Sequence, residues 1–347
     1  MKYRFPVFSF FATLALFFLP QLVAGQFSFN QNLTLSLAPA FPGPNENVYV
    51  RIDPAGTDLS RADINWFVDG ELIKRGVGLT SFSFTTKNLG ESSTIITLVK
   101  METGQVLQQS ITIRPATVRL LWEASSYVPP FYKGKALYPY QGIVRVIALP
   151  LVLDSAGRTI DPENLVYKWI ENDKVDLDSS GYGKDIFGFK GDVIIRPTTV
   201  RVEVSTLDKN TAVAGEITVT PIEPHITFYE NHPLYGQLWN KAIGQSVSLT
   251  ENEIQIAAIP YFFGVHDKNN PTLTYSWNLN NQPVSAGTQR SILTLRQPEN
   301  VGGGTASLGL EVSNTALSSI YQSARINTTV NFTARGRESG GFPSGTR

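Results

Sequence analysis

Three segments of this chain are near copies of one another: Ile64-Asn-Trp-Phe-Val-Asp-Gly70, Tyr167-Lys-Trp-Ile-Glu-Asn-Asp173 and Tyr275-Ser-Trp-Asn-Leu-Asn-Asn281. Each puts two turn-forming residues at the third and fourth positions after a tryptophan. Trp66, Trp169 and Trp277 recur at nearly equal intervals. That spacing restricts the chain to one module of about 100 residues used three times, a length that supports a core of its own. Two consecutive residues that tolerate positive φ are what a tight type I′ hairpin needs, and Asp-Gly is among its strongest signals. Each copy is therefore predicted as a strand carrying a core tryptophan, then a hairpin.

The flanking sequence repeats as well. Leu33, Leu35 and Leu37 alternate with Thr34 and Ser36, a half-buried strand. Val48 to Pro54, Val144 to Pro150 and Ile254 to Pro260 occupy the same place before each tryptophan. Ile95 to Val99, Thr199 to Ser205 and Leu308 to Ser313 follow it. Seven or so short strands per module at regular spacing predict an all-β chain of tandem sandwiches. The expected division is residues 26–115, 116–224 and 225–334, with 335–347 a Gly, Ser and Arg-rich tail expected to be disordered.

Residues 1–25 read as an export signal. Lys2 and Arg4 precede an apolar run from Val7 to Leu19, and Val23-Ala-Gly25 offers small residues for cleavage before Gln26. An uncleaved anchor is the other reading, and it is the only way this sequence would meet a membrane. The 29 basic residues match the 29 acidic ones, so no field marks a nucleic-acid partner. There is no cysteine, which removes disulfides, thiol catalysis and cysteine zinc sites together.

The Tyr-x-Trp strand, its turn and a final strand such as Ile217-Thr-Val219 resemble the immunoglobulin-like sandwich of the PKD-like type. Tyr167-Lys-Trp169 and Tyr275-Ser-Trp277 match that pattern. Ile64-Asn-Trp66 replaces the tyrosine, and Trp66-Phe-Val-Asp-Gly70 is one residue short of the PKD hallmark. Val128-Pro-Pro-Phe-Tyr-Lys-Gly-Lys-Ala-Leu137 is similar to exported bacterial immunoglobulin-like proteins whose genes accompany pilus or secretion genes. The resemblance implies a fold and a place at the cell envelope, and no chemistry.

Function is to be sought where the modules differ. The second carries Tyr127-Val-Pro-Pro-Phe-Tyr-Lys-Gly-Lys-Ala-Leu-Tyr-Pro-Tyr140, and the third carries Tyr229 to Ala242. Glu123 matches Glu230, and Lys135-Ala136 matches Lys241-Ala242. The first module has a single aromatic there, Phe41. Candidate contact residues are Tyr127, Phe131, Tyr132, Tyr138, Tyr140, Tyr235 and Trp239. They would form a surface for a protein or glycan partner, or pack the junction between modules, which the first module has no predecessor to require. Trp66, Trp169 and Trp277 are assigned to the cores.

No catalytic, metal or cofactor-binding residue emerges. His225, His232 and His266 lack metal-ligand spacing. Gly302-Gly-Gly304 lacks the setting of a phosphate loop. Glu171 to Asp178 and the neighbourhood of Asp267 read as solvated turns, since calcium needs six to eight converging oxygens. The sequence thus points to a non-enzymatic exported rod that scaffolds protein contacts, with a carbohydrate-binding accessory protein as the alternative.

Overall fold

A computed structural model describes residues 33–250, 252–297, 303–317 and 320–332. The export signal and the C-terminal tail expected from the sequence lie outside the described residues. Within them the chain is three immunoglobulin-like β-sandwiches in tandem. The first is built of β1 (Leu33–Ala38), β2 (Asn47–Pro54), β3 (Asp63–Val68), β4 (Glu71–Val77), β5 (Ser81–Thr85), β6 (Ser93–Lys100) and β7 (Val106–Ile113). Its sheets run β1-β2-β5 and β4-β3-β6-β7. The second repeats that plan with β8 (Thr117–Ala124), β9 (Ile143–Leu151), β10 (Val166–Glu171), β11 (Lys174–Tyr182), β12 (Ile186–Lys190), β13 (Thr198–Ser205) and β14 (Ala212–Val219). Its sheets are β12-β9-β8 and β11-β10-β13-β14.

The third elaborates the plan. Its strands are β15 (His225–His232), β16 (Gly236–Ile243), β17 (Ser246–Leu249), β18 (Glu253–Tyr261), β19 (Leu273–Leu279), β20 (Gln282–Val284), β21 (Ile292–Arg296), β22 (Gly304–Leu317) and β23 (Ile320–Phe332). The sheets are β16-β15-β18-β21 and β17-β23-β22-β19-β20. Two features are new. β16 adds a strand to the edge of β15, and β17 runs parallel to β23 over four residue pairs. The second domain has that parallel pairing only as one bridge, Pro139 to Ile222.

All three tryptophans sit between the sheets, fully or almost fully buried. A buried indole must place its N–H. Trp66 donates to the Leu79 carbonyl, Trp169 to Lys184 and Trp277 to Arg290, each at 2.9 Å. Each also meets a ring from the opposite sheet: Phe82 at 4.7 Å, Phe187 at 5.5 Å and Phe228 at 5.5 Å. The hairpin that follows has positive φ at both turn residues in every copy, from 45° at Asn172 to 87° at Gly70. The first turn residue has a second task. Asp69, Asn172 and Asn280 accept, through a side-chain oxygen, the backbone N–H of Thr94, Thr199 and Ser307. Asp or Asn there thus closes the turn and pins it to the neighbouring strand, which explains why no other residue type holds the position.

Candidate binding surfaces

From β8 to the parallel bridge, the strand register sets one offset between the second and third domains. β8 aligns with β15, and the Pro139–Ile222 bridge aligns with Val247–Val330. The segments after β8 and β15 are therefore equivalent and equal in length, with Tyr127 matching Tyr235 and Phe131 matching Trp239. This differs by one or two residues from the pairing that the Glu and Lys-Ala motifs suggest. The two segments fold in opposite directions.

After β8 the chain reaches away from its own domain and grips the next. Tyr127 bonds across the junction through its backbone, donating to Phe263 and accepting from Phe262, both at 2.8 Å. Its side chain is 8% exposed and belongs to the third domain's core cluster. Tyr132 sets its ring edge-on against Tyr261 and Phe262 at 5.9 and 5.8 Å. Tyr138 is buried in the second domain's core against Phe189. Tyr140 takes the side-chain N–H of Gln322 on its carbonyl at 2.7 Å and the Ser323 N–H on its hydroxyl at 3.2 Å. The Gln141 side chain accepts from Tyr321 N–H at 2.6 Å. Gln322 is fully buried, and its amide oxygen accepts from Gly264 N–H at 2.8 Å. Burial in this dry seam, with Asp267 near, pushes the Tyr127 phenol up to about 12. Tyr261 and Tyr275 are raised for the same first reason, desolvation.

After β15 the chain folds back on its own domain. Ala242 pairs with Tyr229 and Gln237 with Asn231, so four β16 residues face the single Glu230. This wide bulge lays Trp239 on Tyr229, 5.3 Å between centroids, over the outer face of the sheet. Tyr229 is buried there, its hydroxyl 3.0 Å from that of Tyr261.

Four of the seven candidate aromatics, Tyr127, Tyr132, Tyr138 and Tyr140, are thus engaged at the second–third junction or in the core beside it. Trp239 is half-buried on its own domain. Phe131, 85% exposed, and Tyr235, 76% exposed, stand in solvent on separate domains. The sequence reading missed Gln322, Gln141 and the Phe262-Phe263 pair. A polar Gln between apolar positions of a strand was the available signal.

Two carboxylates share one cleft, and each is committed to local hydrogen bonds. A cleft of about 470 Å³ between the first two domains has Arg114, Asp154 and Asp208 among its walls. Asp154 accepts from the Arg158 and Ala156 backbone and from the Arg158 side chain. Asp208 accepts from Thr206 and Asn210. Those bonds hold both acids below the usual carboxylate range, so neither keeps a proton to donate near neutrality. In the Glu171–Asp178 hairpin, Asp176 accepts the Ser179 N–H. Among the described residues no group of three or more His, Asp or Glu is placed to hold a metal ion.

No protein-family model matches the chain, and no curated protein matches it. Solved structures overlap it loosely. Three N-terminal domains of the bacteriophage RB49 Highly Immunogenic Outer Capsid protein are 11% identical over 88% of this chain and 99% of that one, TM-score 0.24. The central fibronectin-III array of RIM-binding protein is 12% identical over 86% and 95%, TM-score 0.27. A Bacteroides ovatus protein, SGBP-B of a mixed-linkage glucan utilization locus, solved with a heptasaccharide, is 12% identical over 87% and 71%, TM-score 0.20. With overlap this loose, the fold rests on the sheets described above.

Proposed function

We propose that this chain is a non-enzymatic, exported scaffold of the cell envelope that holds protein-binding surfaces at set distances. One observation carries the reading: the aromatic segment of the second domain is built into the third, fastening the two sandwiches into one stiff body. A side chain in a neighbour's core and five hydrogen bonds across the seam are far more than a flexible linker supplies.

A pull-down from an envelope fraction with residues 26–347 as bait tests this, run beside a glycan array. Recovery of a protein partner with no array signal is expected. Enrichment of a polysaccharide without any protein would replace the scaffold by a carbohydrate-binding accessory.

A further inference from the structure

The three-stranded sheet of each domain has an outer face, and the three are finished differently. In the first domain it is mostly polar: Thr34 and Ser36 on β1, Arg51 on β2, Ser81 and Ser83 on β5, with the Tyr49 ring among them donating its hydroxyl to Ser81. In the third it is closed over; Tyr229 is 8% exposed, and Ala257 and Ile259 are fully buried. In the second it is open and carries an aliphatic patch, bordered by Arg119 on β8 and by the Arg145–Glu123 ion pair. Leu121 on β8, Ile147 on β9 and Ile186 on β12 form one row across the strands, with Leu149 and Leu151 above it on β9. Leu121, at the position of Tyr229, is 55% exposed.

The cause is the use made of the equivalent segments. The third domain spends its segment on β16, which pairs with β15 and puts Trp239 over the face. The second domain spends its own on clamping the third. Among the described residues β8 is consequently a terminal strand of its sheet, with β9 its one strand partner. Its lower half, 120–124, is the counterpart of the stretch of β15 that holds β16. Among the described residues an unpaired edge thus lies beside an uncovered aliphatic patch, and the Arg145–Glu123 ion pair separates that patch from Ile143, next to the junction at Gln141.

Resting on the scaffold reading, we propose that the edge of β8 and the face beside it are the docking surface for a partner polypeptide, which adds an antiparallel strand and lays a bulky ring over Leu121. Strand addition takes its affinity from main-chain hydrogen bonds and its specificity from side-chain pockets. The size of the patch selects this occupant over a second copy. Strands about 4.8 Å apart and residues about 3.4 Å apart give roughly 10 by 14 Å for the five side chains. A stable dimer needs about 800 Å² per partner. The patch is aliphatic, without the rings on which a sugar would stack.

The chain supplies its own probe. A synthetic peptide of residues 236–243, Gly-Gln-Leu-Trp-Asn-Lys-Ala-Ile, is titrated into the full chain, and amide hydrogen exchange is followed. Saturable binding with slowed exchange across 120–124 is expected. Leu121→Asp and Ile186→Asp, both on exposed positions and checked for unchanged melting, should each weaken it by roughly 10-fold or more. Ser83→Asp on the first domain should leave it unchanged. No binding, binding without protection of β8, or binding indifferent to both variants overturns the proposal. So does self-association in sedimentation that Leu121→Asp abolishes, because a second copy would then be the occupant. The same variant is finally carried through the envelope pull-down. A protein partner retained by Leu121→Asp sinks this surface and spares the scaffold reading. A wild-type chain that recovers no protein sinks the scaffold reading, while the peptide titration still judges the surface.

Discussion

The junctions above and below the second domain have linkers of similar length and are fastened by unlike means. Below it, the long loop between the end of β8 at Ala124 and the start of β9 at Ile143 reaches into the third domain. Backbone pairing at Tyr127, the buried Gln322 and the Tyr140 hydroxyl fix the seam. Above it, the first domain has only the short turn 39–46 between β1 and β2. There Phe41 lies 5.9 Å from the Arg201 guanidinium, and Gly90 lets Leu153 come so near that a Cβ would stand 2.7 Å from it. Among the described residues no backbone hydrogen bond links the two sandwiches there. The difference teaches that in a string of similar sandwiches rigidity is set by loop length. A long loop can enter a neighbour's core; a short one can only touch.

Trp169→Ala should give the largest break. Emptying the second core should cost about 3 to 5 kcal/mol. In calorimetry the third domain's transition should fall with the second, while the first domain melts as before. Independent melting of the third domain would dissolve the contrast between the junctions. Gln322→Ala aims at the seam alone. It strands the Gly264 N–H and the Tyr140 carbonyl, at about 1 to 3 kcal/mol each, for a loss of about 2 to 6 kcal/mol. Small-angle scattering should show the second and third domains gaining freedom.

Alkali should loosen the same seam. The fold favours the neutral Tyr127 phenol, so the folded chain keeps a proton that the unfolded chain loses near pH 10.0. This stability is complete below about pH 10 and is lost as pH rises through about 12. The share is about 2 kcal/mol, and Tyr127→Phe should remove that share in pH-dependent denaturation while the shares of Tyr261 and Tyr275 remain. The smallest effect belongs to Phe41→Ala. One distant cation–aromatic contact is worth less than about 1 kcal/mol, and melting should barely move.

Much of the fold was legible because it is local. The tryptophan, two residues that accept positive φ and alternating strands are short-range signals that say the same thing three times. The contact surfaces were not, for two reasons visible in particular residues. The aromatics after β8 and after β15 look alike, and periodicity cannot tell a loop that leaves its domain from one that folds back. What decides is whether Tyr127 or Trp239 has a neighbour to enter, a relation between distant residues. The run Val144 to Pro150 reads only as the counterpart of Val48 to Pro54. Only three-dimensional placement shows that Ile147, Leu149 and Leu151 face outward with nothing over them.

The parallel pairing of β17 with β23 has a consequence under load. A pull on the two ends of a sandwich drags these strands in opposite directions along their length, so their bonds are sheared together and not peeled one by one. The third domain opposes such a pull with four residue pairs, the second with the single Pro139–Ile222 bridge and its grip on the third. Forced unfolding is governed by the unfolding rate. The chain should therefore yield from its N-terminal side first, leaving the clamped pair to bear tension longest.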